Sequence, residues 1–309
     1  MSQSVEGWLE ELGLGGSGPR TPSERSFDGG GRYQIEIPEV EDAAVFDEVV
    51  RSADQRALPV HRVSQGSGIS RLTAGELRAM ATIGATHSIE VYLFMGVRGE
   101  NGLGYQARSP GGGSTRKRLQ GSRQFAAALR EVDRALAAGI RGFLVSDEGL
   151  LVSLAALRKD GSIPAEVALK TSVSMGHGNA AAVRWLEAAG ADSFNLPVDL
   201  DLQTLSDIRH AVTIPLDQYV EAPALLGGGQ RFDELREIVE ACAPVNLKFG
   251  LSTEELTDPV GLHSRNLAVA QVRERVRLAA LGFELLTEQG MGDAVAATDR
   301  RRPGVPVAP

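Results

Sequence analysis

The chain has 309 residues, 42% of them hydrophobic and 23% charged, with a formal net charge of -8. That length allows one large domain or two ordinary ones, and the composition excludes wholesale disorder and fibrous repeats. An acidic surface whose one basic run is Arg116-Lys117-Arg118 argues against a nucleic-acid partner.

No apolar run approaches the roughly 18 to 20 residues that span a bilayer, and the opening residues carry no basic, then apolar, then small-residue leader. The expectation is therefore no membrane partner and a cytoplasmic location. The single cysteine, Cys242, excludes an internal disulfide, a cysteine-rich zinc site and a cysteine-ligated iron-sulfur cluster, each of which needs at least two thiols. Its helix-like surroundings mark it as a small buried hydrophobe.

In chain order, residues 1–31 hold one helix-like fragment, Val5 to Leu12, followed by two glycine clusters, and are expected to form a flexible arm. From residue 32 to 289, short β-rich runs alternate with helix-period runs, the pattern of a parallel sheet with crossover helices. The expected strands are Tyr33-Ile37, Val60-Ser64, Ile89-Met95, Gly142-Ser146, Val167-Ser172, Ser193-Leu196, Leu216-Glu221 and Val245-Phe249. A long last helix, from Asn266 to about Thr287, could close an outer ring. Eight such units favour a single-domain (βα)8 TIM barrel over an open doubly wound sheet, which is built from the same local units. Residues 290–309, rich in proline and without apolar period, are expected to be a disordered tail.

Strands buried on both faces normally read as continuous apolar runs, so charges inside them need a reason. In the first strand Gln34 and Glu36 alternate with isoleucines. In the seventh, Asp217, Tyr219 and Glu221 share a parity, and in the eighth Asn246 and Lys248 do. Period two sends each set to one face, and barrel closure makes strands one, seven and eight neighbours. Glu36, Asp217, Glu221 and Lys248 are the candidate catalytic residues, and Glu221 and Lys248 are favoured because they lie nearest the carboxyl ends, where barrel active sites form. A structural ion-pair plug is the alternative for the same residues.

Lys170, Asn195, Tyr219, His61, Gln65 and Arg98 are candidate substrate-binding residues. The connection from Gly99 to about Arg123 is long enough for a lid or a solvated insert. Glycine-containing loops after the seventh and eighth strands suit a phosphate or a tight turn. No P-loop, dinucleotide fingerprint or Gly-x-Ser-x-Gly elbow occurs. His61 and His177 could join Glu36 or Glu221 around a divalent metal, but no paired spacing supports such a site, so no cofactor is expected.

The run Gly142-Phe-Leu-Val-Ser-Asp-Glu-Gly-Leu-Leu, with Lys170-Thr-Ser-Val-Ser, Asn179-Ala-Ala-Ala-Val-Arg-Trp-Leu-Glu-Ala-Ala-Gly-Ala and Leu196-Pro-Val-Asp-Leu, resembles the peptidase U32, or collagenase-like, family of barrel proteins. The resemblance covers about a quarter of the chain and implies a barrel enzyme. It departs from the family in lacking a Leu-Ala-Pro-Ala-Gly-like first strand end and the cysteines that ligate an iron-sulfur cluster in some relatives.

The expectation is a U32-like enzyme acting on a small polar or peptide-like substrate, with Glu221 or Asp217 as general acid/base and Lys248 as electrostatic stabiliser. A carbon-carbon lyase or isomerase of a phosphorylated or carboxylate substrate, with a Schiff base at Lys248, is the second reading, and a non-catalytic binding protein the third. A homo-oligomer is left open.

Overall fold

A computed structural model describes residues 4–14, 20–95, 117–253 and 261–308. Eight parallel strands close into a barrel in chain order: β1 (Tyr33–Ile37), β2 (Arg62–Gln65), β3 (Glu90–Phe94), β4 (Gly142–Val145), β5 (Ala168–Thr171), β6 (Ser193–Asn195), β7 (Leu216–Glu221) and β8 (Val245–Phe249). β1 pairs with β8 through Glu36 opposite Lys248, which completes the ring. The chain is therefore a (βα)8 TIM barrel.

After a short helix α1 (Val5–Glu11), the outer ring consists of α2 (Ala43–Asp54), α3 (Ala74–His87), α4 (Gly121–Ala137), α5 (Glu148–Lys159), α6 (Ala180–Ala188), α7 (Leu202–Ala211), α8 (Leu235–Cys242) and α9 (Arg265–Glu288). Side-chain caps fix where several of these helices begin. Asp42, Asp147, Asn179 and Asp201 each accept a backbone N–H three residues on, and Thr73 with Glu76 forms a capping box. Because these caps follow the strands, they also set the course of the loops at the carboxyl-end mouth. Outward residues such as Ile35, Val63, Leu93, Phe143 and Leu247 build the main core against the helices. Cys242 lies in that core, and burial pushes its thiol up to about 12.

In their described residues both terminal segments hydrogen-bond to the barrel, where a loose arm and tail were expected. Ser23 donates its N–H to the Glu240 carbonyl at 2.7 Å and its hydroxyl to the Ala243 carbonyl at 2.5 Å. The C-terminal stretch runs along the amino ends of the strands. Ala296 N donates to the Tyr33 carbonyl at 2.9 Å, Val91 N to the Gly304 carbonyl at 3.0 Å, and Val307 N to the Gly139 carbonyl at 3.0 Å. Strand ends leave backbone groups without ladder partners, and a proline-rich segment with few internal hydrogen bonds can supply carbonyls to them. The tail lies over a lower cavity of about 610 Å³ that includes Arg62, Glu90, Tyr92 and Arg302 among its walls. Among the described residues no helix is long and apolar enough to cross a membrane.

Gly139 shows how closely the tail is seated. Its φ is +93°, and a Cβ there would stand 2.3 Å from the Val307 carbonyl oxygen. Gly139→Ala should lower the unfolding free energy by about 1–3 kcal/mol in chemical denaturation. An unchanged transition would mean that Val307 is not held against this turn.

Candidate active site

Inward residues stack in layers, each drawn from alternate strands. Glu36, Tyr92, Lys170 and Asp217, from β1, β3, β5 and β7, form the middle layer. Arg62, Gly142, Ser193 and Asn246 lie below it, and Ser64, Leu144, Asn195 and Lys248 above it. A side chain at Gly142 would meet the Val91 carbonyl oxygen at 2.3 Å and the Tyr92 ring at 3.1 Å. Glycine there leaves the lumen to bulkier neighbours.

Three cations, Arg62, Lys170 and Lys248, meet three carboxylates, Glu36, Glu90 and Asp217, all of them buried. Glu36 is shared: Lys170 holds Oε2, while Oε1 takes Lys248 Nζ at 3.1 Å and the Ser64 hydroxyl at 2.7 Å. Asp217 accepts from Lys170 and from Arg62 at 3.0 Å each, from the Ser193 hydroxyl at 2.7 Å, and from the Asn246 amide. Arg62 also reaches Glu90 at 2.7 Å and stacks 4.5 Å above the Tyr92 ring.

The charge states follow from these partners. Burial alone would neutralise Glu36, but Lys170, Lys248 and Arg62 outweigh it and hold the carboxyl well below its ordinary range. Burial also opposes the charge on Lys248, yet Glu36, Tyr219 and Asp217 more than offset it and push the ammonium up. At Lys170 burial wins over Asp217 and Glu36, and its value falls to about 8.

Above the network opens a cavity of about 120 Å³ at the carboxyl ends of the strands. Ser64, Leu144, Asn195 and Lys248 form its floor, and Phe94, Ser172 and Tyr219 rise above them. Lys248 Nζ lies 4.4 Å over the Tyr219 ring. Around the rim stand Glu39, Glu41, Lys117 and Arg275. Glu41 accepts from Gly66 N and Ser67 N, which shapes the loop after β2. Glu39, at φ +54° just past β1, pairs with Arg275 of α9 at 3.6 Å.

The structure thus brings together Glu36, Asp217, Lys248 and Lys170, and places Lys248, Asn195, Tyr219 and Gln65 on the cavity wall. Glu36, Asp217 and Lys170 lie beneath it. Glu221 does not join them. A register shift between Tyr219 and Glu221 breaks the alternation, and the Glu221 carboxylate instead accepts Ser252 N and Oγ, each at 2.7 Å. His61, expected at the mouth, is at the opposite end. Its Nδ1 accepts from Ile35 N at 3.1 Å, and its Nε2 donates to the Ala296 carbonyl at 2.7 Å. His177 pairs with Glu148 at 3.1 Å. Arg98 and most of the Gly99–Arg123 connection fall outside the described residues. Among the described residues, no group of three or more His, Cys, Asp or Glu side chains is placed to hold a metal ion.

Sequence reasoning missed Arg62 and Glu90, although each stands at an inward position of its strand. It also missed Glu39, Lys117 and Arg275, which no strand period marks.

No family model matches the chain, and no curated protein matches it by sequence. Among solved structures it is similar to the YdjI aldolase from Escherichia coli K12, at 16% identity and a TM-score of 0.50 over 95% of this chain and 100% of that one. The U32 peptidase Mk0906 is 15% identical, with a TM-score of 0.43 over 73% of this chain and 96% of its own. Thiamine phosphate pyrophosphorylase from Pyrococcus furiosus is 14% identical, with a TM-score of 0.41 over 80% and 96% respectively. At such identities the likeness is one of fold: the chain belongs to the TIM-barrel class.

The charges set what three substitutions should do. Glu36→Gln leaves Lys170 and Lys248 without their shared carboxylate and should cost about 3–5 kcal/mol of stability in denaturant titration. Glu221→Gln, which only weakens a loop contact, should cost less than about 2 kcal/mol. Burial, helped by Arg302 and Arg62, lowers His61 from 6.5 to about 4. The unfolded chain therefore takes up this proton first as the pH falls. The contribution of neutral His61 is complete above pH 6.5 and declines toward pH 4, by about 3 kcal/mol in all. His61→Gln, which keeps a donor for Ala296, should flatten stability against pH across that window.

Proposed function

We propose that this protein is an enzyme acting on a small polar or peptide-like substrate at the carboxyl-end mouth of the barrel. Lys248 would stabilise negative charge on the substrate, and Glu39 would move the proton. The observation that carries this reading is Lys248 itself: an ammonium on the cavity floor, held by a carboxylate that lies wholly beneath it. A fixed cation in a site with little water stabilises developing negative charge without reorganising first.

Glu39 is a rim carboxylate, held by Arg275 of α9 at 3.6 Å, whereas Glu41 accepts from the backbone amides of the loop after β2. The left-handed backbone at Glu39 is a local cost of the kind found at working sites. The U32-like motifs are the ground for a peptide-like substrate. The proposal draws on no cofactor and no nucleic-acid or membrane partner.

A lyase using Lys248 as a Schiff-base amine is less well supported, since Glu36 and Tyr219 keep that nitrogen protonated and an ammonium is not a nucleophile. Mass spectrometry of metabolites that co-purify with the protein would supply a substrate for assay. Lys248→Met and Glu39→Gln should then each reduce kcat by about 10²–10³-fold, whereas Glu221→Gln should leave it within a few-fold of the parent. Full turnover by Lys248→Met, or a borohydride-stable substrate adduct on Lys248, would overturn the assignment.

A further inference from the structure

The floor of the cavity has three polar side chains, and two of them have partners within the protein. Ser64 donates to Glu36, and Lys248 lies between Glu36 and the Tyr219 ring. Asn195 is different. It is only 2% exposed, yet its Oδ1 has no hydrogen-bond partner among the described residues. A buried amide oxygen without a partner is costly, and native structures rarely leave one without a reason. The terminal torsion of asparagine is soft and broadly two-fold, so the carboxamide can turn either its oxygen or its nitrogen toward a group arriving from above. Leu144 fills the remaining floor position, with Phe94 in the next layer up, so that quarter of the cavity is apolar.

The geometry points to a ligand that brings a carboxylate to Lys248 and, on the adjoining carbon, a hydroxyl or amide group to Asn195. The class so defined comprises 2-hydroxy acids and N-acylated amino acids, the C-terminal unit of a peptide included. This inference rests on the proposed reading of the mouth as the substrate site, and it names the polar end of that substrate. Lys248 has three protons, and Glu36 takes only one of them at 3.1 Å, which leaves donor capacity for an incoming oxygen. A cavity of about 120 Å³ has the volume of about four liquid waters. It takes the acid end of a peptide, with the remainder lying outward past Pro223 and Leu225 on its rim. The hydroxyl or amide both donates and accepts, so it suits either orientation of the Asn195 carboxamide.

Acetate and glycolate differ by one hydroxyl and separate the two contacts. Titrated into the wild-type protein and followed by calorimetry and ligand-observed NMR, glycolate should bind at least about 10-fold more tightly than acetate. Asn195→Ala should erase the preference while leaving acetate affinity unchanged. Equal affinity of the wild type for the two acids would overturn the pairing with Asn195 but leave the anion reading of Lys248 standing. Failure of acetate, glycolate and N-acetylglycine alike to bind would overturn both.

Discussion

A single carboxylate, Glu36, lies between two lysines in the middle of the barrel, and the arrangement around it links the fold to the mouth. Each lumen charge would be prohibitively costly alone, and the set is tolerable because cations and carboxylates balance and hydroxyls and amides complete their coordination. A lumen packed with branched apolar residues would be at least as stable. What the ion pairs add is direction. Glu36 turns one oxygen across its own layer to Lys170 and the other up to Lys248, so the upper ammonium is held where the cavity begins.

Much of this was legible in the sequence. Alternation of β-rich and helix-period runs marks eight units, and period-two polarity in Tyr33–Ile37 and Val245–Phe249 places Glu36 and Lys248 on the same inner face. The same rule applied to the second and third strands would have found Arg62 and Glu90. Glu221 shows where the rule fails: the register shift after Tyr219 is a three-dimensional irregularity, and no glycine or proline inside β7 announces it. Glu39 and Lys117 lie beyond strand ends and Arg275 on an outer helix, where side-chain direction depends on loop course and helix rotation rather than on any local repeat. The seating of residues 291–307 was hidden for a related reason. Their partners are backbone groups at strand ends, and composition carries no record of who donates to whom.

The buried middle layer also divides the interior. The upper cavity and the larger hollow beneath the strands have no lining residue in common, and Glu36, Lys170 and Asp217 lie wholly buried between them. Among the described residues the barrel is thus a blind vessel rather than a conduit. If the mouth takes the proposed substrate, that molecule has no path through the lumen and would leave on the side it entered.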